Sequence, residues 1–173
     1  AWSGAGRGEG GRTERPGGRR GRLRAMPSRL FLRPADARET VAAGRIALRH
    51  REGPVGRVLT RQKLPVLDRT TLAPASAVAR GAYVLAESGA SPPELLLIAT
   101  GSEVSLALTA YQQLAREGIR CRLVSMPSWE LFDAQPESYR EAVLPRRVTA
   151  RVSIQATPPF GVDPPGGPAP PTS

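Results

Sequence analysis

The chain has 173 residues, room for one domain or two small ones, and a formal net charge of +10. Its longest wholly apolar central run, Leu95–Ala99, is far short of the ~20 residues that span a bilayer, and no charged start leads into an apolar stretch that would read as a secretory signal. One cysteine and one histidine, Cys121 and His50, exclude an internal disulfide framework and a structural zinc site, so the expectation is a cytoplasmic chain with no membrane partner.

Residues 1–30 hold eight Arg against Glu9 and Glu14, and the last 18 residues hold seven Pro and three Gly. Neither end carries enough apolar surface to offset the entropy of ordering it, so both are expected to be disordered around a foldable part from about Leu30 to Gln155. The run Gly17-Gly18-Arg19-Arg20-Gly21-Arg22 could track a nucleic-acid backbone as a basic arm. Trp2 is the only aromatic residue in that region, so composition-driven disorder is the simpler reading and nucleic acid is not the expected partner.

Within the foldable part, Leu30-Phe31-Leu32 reads as a short strand closed by Arg33-Pro34. Asp36 and Glu39 have capping-box spacing, with Glu39 expected to reach back to the Asp36 N–H. The helix they open should run to Arg51, with Ala37, Val41 and Leu48 near one face, before Gly53-Pro54 stops it. Val55–Thr60 is the next strand, parallel to the first in a βαβ unit.

A polar stretch from Gln62 to Ser76 precedes strands at Gly81–Ala86 and Glu94–Ala99, the latter apolar on both faces. Thr100-Gly101-Ser102-Glu103 turns into a helix with Ser102 as its N-cap and Gly118 as its end. Ile119, Cys121 and Leu123 alternate with Arg120 and Arg122, which predicts a half-buried strand. Pro136–Val143 reads as helical, and Val148, Ala150, Val152 and Ile154 as a last alternating strand. The fold class is α/β.

Most candidate sites have a plainer explanation. The Thr100–Glu103 turn could bind an anion, but Glu103 would repel it, which leaves an ordinary helix start. His50 reads as a solvated residue at a helix end and Cys121 as a small core residue. Arg61 differs because it stands where a strand ends, the place where parallel α/β sheets gather functional groups. Its guanidinium can grip a phosphate or carboxylate through two parallel N–H bonds.

Several runs resemble transketolase. They are Leu23-Arg24-Ala25-Met26-Pro27, Arg33-Pro34-Ala35-Asp36-Ala37 and Val58-Leu59-Thr60-Arg61-Gln62-Lys63-Leu64-Pro65, then Ile98-Ala99-Thr100-Gly101-Ser102-Glu103-Val104 and Val124-Ser125-Met126-Pro127-Ser128-Trp129-Glu130-Leu131-Phe132. The likeness runs from Leu23 to Ala156. It implies a degraded or disordered segment at 1–22, the end of a parallel-sheet pyrimidine-binding domain at 23–69 and a linker at 70–80. An incomplete C-terminal-like α/β domain at 81–156 and a Pro/Gly-rich tail at 157–173 follow.

The family moves a two-carbon ketol unit between sugar phosphates, using thiamine diphosphate and Mg2+, and is dimeric. The resemblance implies that Arg61 contacts the phosphate of the sugar substrate. It implies no catalytic, cofactor-binding or metal-binding residue in this chain, since Gly10 replaces a substrate-binding aspartate while Trp2 and Glu14 stand where histidines belong. The reading is a transketolase-family fragment, inactive alone, with ends like mis-framed coding sequence. The alternatives are a non-catalytic module that pairs with a full transketolase subunit, or an Arg-rich nucleic-acid binder.

Overall fold

The computed structural model describes residues 29–89 and 92–155, which fall within one compact unit. The Arg/Gly-rich start, the motif at Leu23–Pro27 and the Pro/Gly-rich tail lie outside the described residues.

Strand β1 (Leu30–Leu32), helix α1 (Ala37–Arg49) and strand β2 (Val55–Arg57) form the first unit. The strands pair in parallel with Leu30 opposite Val55 and Leu32 opposite Arg57, as the βαβ pattern requires. The Asp36 side chain caps α1 by accepting from the Glu39 N–H at 2.8 Å. Glu39 reaches back one residue further than expected, to the Ala35 N–H at 2.8 Å. The helix ends at Arg49, two residues earlier than expected, with His50 as its C-cap.

The buried face of α1 also departs from expectation. Val41 and Leu48 are exposed, whereas Glu39 and Ala43 are wholly buried and Ile46 packs beside them. A carboxylate with enough donors around it can take a core position that hydrophobic periodicity assigns to aliphatic residues.

A 3₁₀ helix at Ala75–Arg80 leads into the second sheet. Its strands are β3 (Tyr83–Glu87), β4 (Leu95–Ala99), β5 (Cys121–Ser125) and β6 (Arg151–Ile154), in the spatial order β3-β5-β4-β6. β4 is parallel to both neighbours, and β3 runs antiparallel along the β5 edge. Helix α2 (Glu103–Arg116) crosses from β4 to β5, and two short helices, α3 (Trp129–Asp133) and α4 (Glu137–Val143), lie between β5 and β6.

Alternation along the central strands builds two cores. Leu97, Ala99, Leu123, Tyr83 and Leu85 face one side with Val104 and Ala107 of α2 and with Leu30, Leu32 and Ala43 of the first unit. Leu96, Ile98 and Val124 face the other side with Phe132, Val143 and Leu144. Both faces of β4 and β5 are therefore covered, as expected of central parallel strands.

Coverage on two faces overturns the half-buried reading of β5, all five of whose residues are buried, Arg122 included. The Arg122 guanidinium donates to the Ala142 and Val143 carbonyls at 2.6 and 3.2 Å and pairs with Glu87 at 2.8 Å. It thereby supplies donors to the C-terminal carbonyls of α4, which lack partners within their own helix. Ser102 occupies the N-cap position of α2 but makes no capping bond; its hydroxyl donates to the Glu103 carboxylate at 2.9 Å instead. Ser128 is the serine that caps, accepting from the Leu131 N–H at the start of α3.

Candidate functional site

Arg61 is exposed, four residues past the end of β2. The segment that carries it departs from β1 through a bond from the Val58 N–H to the Leu32 carbonyl at 2.9 Å. Thr60 Oγ1 accepts from the Gln62 N–H at 3.1 Å, a side-chain turn that brackets Arg61. The segment returns to the core at Leu67, only 4% exposed, whose N–H donates to Asp36 Oδ2 at 3.1 Å.

Asp36 belongs to a buried polar cluster that composition and motif reading do not single out. Glu39 Oε1 accepts from the Tyr83 hydroxyl at 2.5 Å and from Ser125 Oγ at 3.0 Å. Arg69 Nη2 lies 3.3 Å from Asp36 and 3.5 Å from Glu39, while Nη1 donates to Tyr83 Oη at 2.9 Å and to the Ala73 carbonyl at 2.8 Å. One guanidinium thus faces two fully buried carboxylates from the start of α1 and a phenol from β3, while a serine from β5 donates to one of those carboxylates. Capping-box spacing was the one signal pointing here, and it marks the helix start without revealing the partners.

Electrostatics follow from that packing. Burial alone would lower the Arg69 pKa, but the bond to Tyr83 and the charges of Asp36 and Glu39 outweigh it and hold the guanidinium above its usual value. Burial, reinforced by the Glu39 carboxylate, pushes the Tyr83 phenol far above its ordinary range. The cluster joins α1, the Arg61 segment and two strands of the second sheet through charge-assisted bonds.

The other candidates take their plainer roles. The Thr100–Glu103 turn is filled from within: Gly101 adopts φ +64°, the Arg33 guanidinium packs against it, and Arg33 pairs with Glu103 at 3.4 Å. His50 is a half-buried C-cap whose N–H donates to the Ile46 carbonyl. Cys121 is buried beside Ser88 Oγ at 3.4 Å. Among the described residues no group of three or more His, Cys, Asp or Glu is placed to hold a metal ion. Asp36 and Glu39, the paired buried carboxylates, are committed to protein donors, so these residues do not fit a metal-bound diphosphate.

The family described as "Transketolase-like TK C-terminal domain" matches residues 81–165. A transketolase of Geobacillus stearothermophilus is 49% identical over 148 residues, covering 86% of this chain. The chain belongs to the transketolase family. It spans about a fifth of the length of the curated relatives it matches, 22% in the Geobacillus case.

Solved transketolase structures agree with the fold. That of Leishmania mexicana superposes with a TM-score of 0.77 at 40% identity, over 86% of this chain and 21% of its own. A split-gene transketolase, described as an inactive beta4 tetramer, superposes with a TM-score of 0.62 at 26% identity, over 82% of this chain and 43% of its own. The mixed α/β architecture expected from the transketolase resemblance is therefore the observed one. Among the described residues no helix is long and apolar enough to cross a membrane.

Proposed function

We infer that this transketolase-family chain carries part of the sugar-phosphate site of an enzyme that transfers a two-carbon ketol unit. Arg61 is the residue that binds the substrate phosphate. The observation behind this reading is the placement of an exposed guanidinium at the carboxyl end of a parallel strand, on a segment tied to the core on either side. Such a group offers a phosphate two parallel, charge-assisted bonds. Thiamine diphosphate and Mg2+ supply the carbon–carbon chemistry in the intact enzyme, in the pentose phosphate pathway of the cytoplasm. Residues 23–69 end the pyrimidine-binding domain, 70–80 link, and 81–156 belong to the C-terminal domain, with the Asp36–Glu39–Arg69–Tyr83–Ser125 cluster bridging the two.

The full chain alone, given thiamine diphosphate, Mg2+ and sugar phosphates, is expected to show no ketol transfer. Turnover above blank would overturn the view that it works only as part of a larger enzyme. Titration with a sugar phosphate should perturb the Arg61 side-chain signals, and Arg61→Gln should abolish that response.

A second reading is favoured by the exposed apolar residues of the first unit. Val41 and Leu48 on α1, and Leu59 and Val66 near Arg61, are all more than half exposed beside a sheet that has two strands among the described residues. Such a surface suits a complementary transketolase polypeptide, in keeping with the split-gene relative. Co-elution of this chain with a transketolase subunit, lost on Val41→Lys with Leu48→Lys, tests it. Separate elution of the unaltered chain would refute it.

A further inference from the structure

We propose that the outer face of α1 is a socket for an apolar side chain carried on an acidic amphipathic helix, an inference that rests on the second reading and names the chemistry of its partner. The buried residues Glu39 and Ala43 fix one side of α1 against the core. With about 3.6 residues per turn, Val41 and Leu48 fall on the opposite side, two turns apart. They are 58% and 79% exposed. Gly44 and Arg45 stand between them. Positions i, i+3, i+4 and i+7 of a helix form the hole that receives one knob from a facing helix.

Gly44 leaves that hole open. It sits inside a regular helix without a positive φ, where glycine is weaker than alanine. A Cβ there would meet the Arg57 guanidinium at 3.5 Å, an ordinary contact with the end of a flexible side chain. Nothing among the described residues therefore requires the side chain to be missing, and the gap is room for a group from outside.

The rim defines what carries that group. Arg45 and Arg49 are exposed one turn apart on α1, and Arg57 reaches Gly44 from β2. Among the described residues no ion pair engages any of the three. Residues 37–63 hold seven Arg and Lys against Glu52 and the buried Glu39, whereas residues 64–155 hold nine of each sign. Carboxylates flanking the knob would accept paired N–H bonds from these guanidinium groups. A second copy of this face would set arginines against arginines. No Phe, Trp or Tyr between Arg38 and Lys63 offers a base a stacking surface, and a phosphate backbone would leave Val41 and Leu48 uncovered.

The probe is a synthetic helical peptide about three heptads long, with leucine along one face and glutamate on either side of it. Added to the full chain, it should shift the methyl signals of Val41 and Leu48, and a scrambled peptide of the same composition should not. Gly44→Gln fills the hole with a good helix former and adds neither charge nor apolar surface. It should raise the peptide Kd about tenfold while the thermal midpoint holds or rises. Arg45→Glu with Arg57→Glu should shift preference to a peptide with lysine in place of glutamate. Unchanged affinity in Gly44→Gln, or methyl signals that do not move, overturns the socket. So does a larger response of those methyls to poly(dT) or to phosphatidylserine vesicles. Co-elution with a transketolase subunit that survives Gly44→Gln overturns the socket and leaves the second reading standing. Separate elution of the unaltered chain overturns both.

Discussion

Glu39→Ala is the substitution that probes the buried cluster most directly. It removes an acceptor for Ala35 N–H at 2.8 Å, for the Tyr83 hydroxyl and for Ser125 Oγ at 3.0 Å, and a countercharge 3.5 Å from Arg69. Each buried donor left without a partner costs about 1–3 kcal/mol, although the two hydroxyls can rotate and recover part of that. Breaking one side of a buried ion pair costs about 3–5 kcal/mol, and that range is the expected loss here. The gain in helix propensity from alanine, under about 1 kcal/mol, does not offset it. Against a total stability of about 5–15 kcal/mol, the variant should be close to unfolding under mild conditions. Urea titration of the full chain, followed by far-UV circular dichroism, measures the difference. Glu39→Gln should lose less, because its amide oxygen still serves the hydroxyls. A cost below about 1 kcal/mol for Glu39→Ala would show that the cluster does not hold the two sheets together.

Three further outcomes are expected. Burial raises the Tyr83 pKa, with help from Glu39, and burial also raises that of Tyr111, so the neutral phenols favour the folded state. Their contribution is complete below the unfolded phenol value near pH ~10 and is lost as the pH climbs through the folded values. Urea midpoints should therefore fall as the pH rises above about 10, less steeply in Tyr83→Phe, and a flat profile refutes this. Gly81→Ala should cost at least about 1–3 kcal/mol from φ +82° alone; in addition its Cβ would meet backbone atoms of Phe132, Ser128 and Leu131 within 2.6 Å. An unchanged melting temperature would contradict it. Ser128→Ala should lose ~1 kcal/mol by removing the α3 cap, while Ser102→Ala, which makes no capping bond, should lose only a few tenths. Equal losses in calorimetry would refute the distinction.

The sequence pattern exposed the strands and helices more readily than their partners. Five consecutive apolar side chains in β4 and the strand–helix–strand spacing of the first unit are local signals, and both appear in the structure. The face of α1 was misread because periodicity scores Glu39 as polar and Val41 as core, while tertiary donors reverse the two. Arg122 was misread for the same reason: the carbonyls that bury it belong to α4, some twenty residues away. Arg61 could be singled out from its place after a strand, yet its anchorage at Asp36 depends on a bond spanning 31 residues. Such non-local pairings leave little trace in spacing.

Arg122 also ties together parts of the molecule that chain order keeps apart. Glu87 at the end of β3 and the last carbonyls of α4 share its guanidinium, so peeling the edge strand away leaves the group that serves the α4 carbonyls without its countercharge. The two elements should open as one unit during native-state exchange, their amides becoming labile in step.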